Sequence, residues 1–497
     1  MFKKIATFLL VLGATAAVIA GEMAMPYLSM QVGDKPKLQA ISVKAKDLQL
    51  VCPGAALRSG GATGTKVGQF DRVGQATSSY ASNLPGGVTL TQQGLVGTST
   101  KASGLANTSG SANPVVSGQG TNSYSVTVQD PAGVAKQGSQ LITAQSFQVV
   151  TSAAMNGALA ANCQRPASEQ WLLGANTTIG REALLILANP AATDATVDLQ
   201  LYGSNGSIEG AGLSGISVSA NRYTVLPLAS FATEQKVMAV HVSSKGAALA
   251  TWVQQRTVRG TLAAGADYIS PSIPAATNLA IPGLFKRGSK DASTLIAGNI
   301  NYSDLSPALA VFVPGGSPAT VTVQVVGTDS KTFGTVAQQQ VLGGSAGLIP
   351  LNGVKDGNYA VFVTSDQPVL ASVRLSRTNA TKIPNTDFAW LPAVVPAVTP
   401  RFITVPAAPS ISKLSIANPN AKATQATVTN LVSGTRSTVN IPGLGSTVVE
   451  VPAGSLVSVA GVQPVAASLV MDFDWQLAVL GLLDYQNLGG SVSVLVR

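Results

Sequence analysis

Three stretches of this chain repeat one arrangement of apolar and polar positions. An apolar run that stops at a turn occurs at 183–190 (ALLILANP), 308–315 (ALAVFVPG) and 413–419 (KLSIANP). Each is followed by a strand with alternating apolar and polar residues: 195–201 (ATVDLQL), 319–325 (ATVTVQV) and 426–432 (ATVTNLV). Alternation of period two turns one face of a strand to a core and the other to solvent. A further run after a Gly or Gln-Pro turn, at 248–253 (ALATWV), 369–374 (VLASVR) and 465–470 (VAASLV), reads as the closing strand of each unit. The same spelling at 158–163 (ALAANC) adds a fourth copy, whose opening strand is 48–52 (LQLVC).

The expected fold is therefore all-β: about four tandem immunoglobulin-like β-sandwich modules, with turn signals every 8–12 residues. The modules are placed at 40–166, 167–266, 267–381 and 382–497, after a leader at 1–21 and a linker at 22–39. Outside the N-terminus no stretch carries apolar residues at helical spacing with caps. The first module departs from the others at 59–123, which is dense in Gly, Ser, Thr and Asn and offers little apolar surface to offset ordering entropy. Pro-rich stretches at 270–274, 281–283 and 391–409 are expected to be extended connectors or edge segments, since Pro removes a ladder donor.

Composition fits this picture. Charged residues make up 11% and aromatics 5% of 497 residues, a mix suited to half-buried strands and polar turns. The formal charge is +9, but the basic residues are scattered and lack the interleaved aromatics of a nucleic-acid surface. Lys3 and Lys4 precede an apolar run, 5–21, that stops at Glu22. This is an export signal with two outcomes: cleavage before Gly21, or retention as an anchor of seventeen residues spanning roughly 25 Å. Export changes the meaning of the only two cysteines. In an oxidising compartment Cys52 and Cys163, 111 positions apart, are expected to form a disulfide between the first and last strands of the first module, two separate buried thiols being the alternative.

Candidate chemistry is sparse. The GxSxG match at 343–347 names Ser345, but the single histidine, His241, lies upstream in a β pattern, whereas a nucleophile elbow needs a strand-to-helix turn and a later histidine. Asp472 and Asp474 would share one strand face, where a carboxylate pair could raise a pKa or hold Ca²⁺, and Asp484 lies nearby; the structural alternative is a solvent-facing pair beside core residues Phe473 and Trp475. Trp171, Trp252, Trp390 and Trp475 could stack sugar rings, with packing at cores or joins as the structural alternative. The possible ligand-facing residues are thus Trp171, Trp390, Asp472 and Asp474. No phosphate loop, HExxH or CxxC occurs, so no catalytic, metal-binding or cofactor-binding residue is assigned.

Cys52-Pro53-Gly54, the segment 163–174 (CQRPASEQWLLG) and the segment 184–203 (LLILANPAATDATVDLQLYG) resemble an uncharacterised family of exported actinobacterial proteins, a domain of unknown function. The resemblance covers most of the chain after the leader. It implies an envelope location and supplies no catalytic residues. The expected function is a non-enzymatic cell-envelope structural or interaction protein, secreted or membrane-anchored, that presents β-sandwich faces to a cell-wall polymer or an envelope protein. The alternative is a carbohydrate-binding accessory protein or a polysaccharide hydrolase working through the Asp472 region.

Overall fold

The alternating segments found in the sequence are strands of paired four-stranded sheets. The computed structural model describes residues 37–43, 48–60, 70–82, 89–96, 103–104, 115–129, 142–328, 333–379, 384–407, 411–483 and 490–496. The leader expected at 1–21 and Asp484 lie outside these residues. The first described strand is β1 (Lys37–Val43). The first module follows as β2 (Leu48–Cys52), the short pair β3 (Leu57–Ser59) and β4 (Phe70–Arg72), β5 (Ala76–Ser82), β6 (Thr89–Gly94), β7 (Ser103–Gly104), β8 (Val115–Gly120), β9 (Tyr124–Gln129), β10 (Ile142–Thr151) and β11 (Asn156–Asn162). The second comprises β12 (Glu169–Ala175), β13 (Arg181–Asn189), β14 (Ala195–Gly203), β15 (Gly206–Ile208), β16 (Ile216–Val218), β17 (Arg222–Pro227), β18 (Met238–Lys245), β19 (Ala250–Arg259) and β20 (Leu262–Ile269).

The third module is β21 (Ala276–Lys286), helix α1 (Ser289–Gly298), β22 (Ala308–Phe312), β23 (Ala319–Gly327), β24 (Phe333–Val341), β25 (Ala346–Pro350), β26 (Gly357–Thr378) and β27 (Thr386–Pro392). The fourth is β28 (Arg401–Thr404), β29 (Ile411–Asn418), β30 (Thr424–Asn430), β31 (Arg436–Ile441), β32 (Gly445–Glu450), β33 (Leu456–Gly461), β34 (Ala466–Phe473) and β35 (Gln476–Gly481). The last strand, β36 (Gly490–Val496), pairs antiparallel with β1 from Lys37 opposite Val496 to Val43 opposite Gly490, a two-stranded unit of its own.

One topology recurs four times. In the second module the sheets are β17-β13-β19-β20 and β15-β14-β18-β12. The first module repeats them as β8-β5-β10-β11 and β7-β6-β9-β2, and the fourth as β32-β29-β34-β35 and β31-β30-β33-β28. In the third module the 22-residue β26 serves both sheets: residues 357–365 pair with β21 and β23, and residues 370–378 with β22 and β27. The strand pairing places β27 with the third module. Apart from the β3–β4 pair of the first module and the short β16, which pairs β14 in the second, each module is thus an eight-strand sandwich in which the segment spelled ALATWV, VLASVR or VAASLV is the seventh strand and one further strand follows. ALAANC is that further strand in the first module, so the spelling matches an eighth strand to three seventh strands.

The apolar faces close on each other. In the second module Leu185 and Leu187 of β13 meet Val197 and Leu199 of β14 and Val240 of β18, all buried. Each such side chain contributes about 1.5–3 kcal/mol on burial. Pro282 sits in β21, an edge strand whose register shifts between Pro282 and Leu284, where a missing donor costs no ladder bond. Helix α1 was not signalled by the sequence pattern, and none of its residues is buried.

Residues 46–488 form one compact unit, and within it every module packs on the next. Leu57 and Leu159 of the first meet Ile186 and Trp252 of the second. Trp171 and Tyr202 of the second lie 4.9 and 5.0 Å, ring to ring, from Phe312 of the third. Ile281 and Leu284 of the third share a core with Val470 and Val479 of the fourth. Ile403 and Val459 of the fourth share one with Phe147 and Ala158 of the first, where Phe147 stacks on Phe473 at 5.2 Å. The fourth seam returns to the first module, so the modules form a closed ring.

Candidate functional site

The eighth strands β11, β20, β27 and β35 are each the edge of a sheet and meet side by side at the ring's centre. An edge strand carries backbone N–H groups with no ladder partner, and burying them unpaired is costly. Two aspartates meet this need. Asp387 of β27 accepts from Ala158 N of β11 (3.0 Å), Ala266 N of β20 (3.3 Å) and Leu477 N of β35 (3.1 Å). Asp267 of β20 accepts from Trp390 N of β27 (2.8 Å) and Ala160 N of β11 (3.4 Å). All four modules are joined through these two carboxyl groups. The approach is close enough to require glycine at Gly157, where a Cβ would stand 2.6 Å from Ala266 N and 2.8 Å from Asp387 Oδ1.

Both carboxyls are 1% exposed. Burial pushes Asp387 up to about 7 against the pull of its backbone donors, and it raises Asp267 well above the usual carboxylate range. A carboxyl poised near neutrality suits a general acid, but these oxygens are spent on backbone N–H groups, so their chemistry is that of a hub. At the C-terminal ends of the same strands Trp390 lines a small cavity of about 20 Å³, a volume on the scale of one water molecule.

A second charged centre joins the second and third modules. Asp304, in the 3₁₀ turn after α1, pairs with Arg259 (2.6 Å), Arg181 (2.7 Å) and Arg374 (3.2 Å). Burial alone would raise its pKa, but the three guanidinium groups hold it at about 2. Burial lowers Arg374 to about 10.

The residues singled out in the sequence fall in several places. Cys52 and Cys163, both fully buried, form the disulfide, joining β2 to the residue after β11. Trp171 stacks on His241 at 4.1 Å, and His241 contacts Glu169 (2.7 Å) and Gln200 (3.1 Å). Trp252 and Trp390 are buried, and Trp475 is half-buried in the β34–β35 turn. Asp472 is buried between Arg287 (3.1 Å) and Arg377 (3.3 Å), while the exposed Asp474 occupies the turn with φ of 68° and meets Arg287 at 3.3 Å. Ser345 is buried and donates to Leu342 O at 2.8 Å. Among the described residues no three His, Cys, Asp or Glu side chains gather as a metal site, and no helix is long and apolar enough to cross a membrane.

Asp267, Asp304 and Asp387 escaped the sequence reading because their partners lie 45 to 229 residues away. One signal was present: Asp267-Tyr268 and Asp387-Phe388 repeat an Asp-aromatic pair in equivalent strands. The model of a family of unknown function, DUF5719, matches residues 115–453, about two thirds of the chain. No curated protein and no solved structure matches it.

Proposed function

Since the chain belongs to this family of unknown function, we propose that it works as a non-enzymatic structural or interaction protein of an actinobacterial cell envelope. It is exported, and it presents the outer faces and grooves of its ring to a protein or polysaccharide partner. The observation that carries this reading is the use of its buried charges. Asp267, Asp387, Asp304 and Asp472 are all committed to joining one part of the ring to another. The polar groups left for function are those on the surface. The buried Cys52–Cys163 disulfide fits an oxidising compartment.

The test is retention of the purified full chain by isolated cell-wall polysaccharide and by solubilised envelope protein. Saturable retention without turnover is expected. Release of new reducing ends from wall polysaccharide, lost in Asp472→Asn while the variant stays folded, would overturn the reading in favour of a hydrolase.

A carbohydrate-binding accessory role is the second reading, favoured by one groove of about 340 Å³ in the first module. Its lining is neutral, with the amides of Gln92, Gln119 and Asn122 beside Ser78 and Thr121. Binding on a glycan array that disappears in Gln119→Ala with Asn122→Ala would select it.

A further inference from the structure

We propose that the seam between the first and second modules is a docking groove for an extended peptide segment of a partner protein. The segment would alternate apolar side chains and set a carboxylate on Arg222. This rests on the interaction reading above and names the partner's chemistry. The groove measures about 640 Å³, within the roughly 300–1,000 Å³ of ligand sites. One wall is the β3–β4 hairpin, which has no counterpart in the other three modules.

The hairpin is anchored to the second module rather than merely resting on it. Gln254 accepts from Leu57 N at 2.7 Å and donates to Leu57 O at 2.5 Å, Ser59 N donates to Glu182 at 3.3 Å, and the Arg72 guanidinium lies 4.7 Å over the Tyr223 ring. These anchors leave Phe70 and Asp71 along the groove.

Three features select a peptide. Phe70, Val96, Tyr223 and Val225 offer the apolar contacts, Val96 being 44% exposed, while Leu57 and Leu95 are buried behind them. Apolar side chains of a bound peptide gain by burial against these four. The far wall is β17, the outer strand of β17-β13-β19-β20, whose outer edge pairs with no strand among the described residues and can take an added one. Tyr223 and Val225 stand two residues apart on it, which matches the side-chain period of an extended peptide. Charge sets the third condition. Asp71 is paired with Arg58 at 3.7 Å, while the exposed Arg222 has no ion pair among the described residues. The rim therefore carries one uncompensated positive charge.

The experiment selects a displayed library of random twelve-residue peptides on the full chain. Enriched peptides should alternate apolar residues and contain Asp or Glu. Their affinity, measured with a synthetic copy, should fall at least tenfold in Arg222→Glu and in Val225→Lys, with melting temperature unchanged. Changing the peptide's acid to Lys should restore binding to Arg222→Glu. Failure to enrich, or equal binding to wild type and both variants, overturns the proposal. So does a groove whose Arg222-dependent occupant is a neutral oligosaccharide or a phosphatidylglycerol vesicle. Envelope retention that persists unchanged in Arg222→Glu sinks the groove alone, whereas absence of retention in the wild type sinks the interaction reading.

Discussion

Asp387 and Asp304 show how a carboxyl group's surroundings decide its effect on stability. Asp387 is raised by burial from 3.8 to about 7, so its contribution is full below 3.8 and is lost as pH rises through about 7. The difference amounts to about 4 kcal/mol. Asp304 is lowered to about 2, so its contribution is present above 3.8 and is lost as pH falls through about 2. Urea unfolding should therefore show greatest stability near pH 4, with a decline toward pH 7 that becomes shallower in Asp387→Asn, the remainder coming from Asp267, which burial also raises. That substitution also turns an amide donor toward buried N–H groups, at about 1–3 kcal/mol for each left unpaired. Asp304→Ala leaves three largely buried guanidinium groups without their carboxylate and should cost up to about 3 kcal/mol in the same measurement. These roles were not legible locally, because an aspartate within a strand reads as solvent-facing until its distant partners are placed.

At the level of elements, period-two alternation located the strands where one face of a sheet is buried, as in β14 and β23. It could not separate seventh from eighth strands, because both are buried on two faces and spelled with the same small apolar residues. Pairing of Cys52 with Cys163 was legible because it needed only two cysteines and the expectation of export. Its loop of 111 positions corresponds to a chain-entropy contribution of about 4–5 kcal/mol. Unfolding of the Cys52→Ser, Cys163→Ser variant should come at lower urea by up to that amount, and reductant should shift the wild type to the same midpoint. The β3–β4 hairpin was hidden in a Gly- and Ser-rich stretch, and with it the groove, since Phe70 and Arg222 are 152 positions apart.

For the whole molecule, repetition foretold modules but not their closure. Tandem sandwiches can stand apart or pack together, and the choice rests on faces that a period-two pattern cannot assign to a partner. The ring closes because the fourth module's core includes Phe147 and Ala158 of the first, and because two aspartates tie four edge strands together. Hydrogen exchange tests this most directly, in peptides covering 156–162, 262–269 and 476–481, compared between wild type and Asp387→Asn. The ring predicts slow exchange at Ala158, Ala266 and Leu477 in the wild type and faster exchange at all three in the variant, although they belong to three different modules. Faster exchange confined to the third module around 386–392 would contradict it.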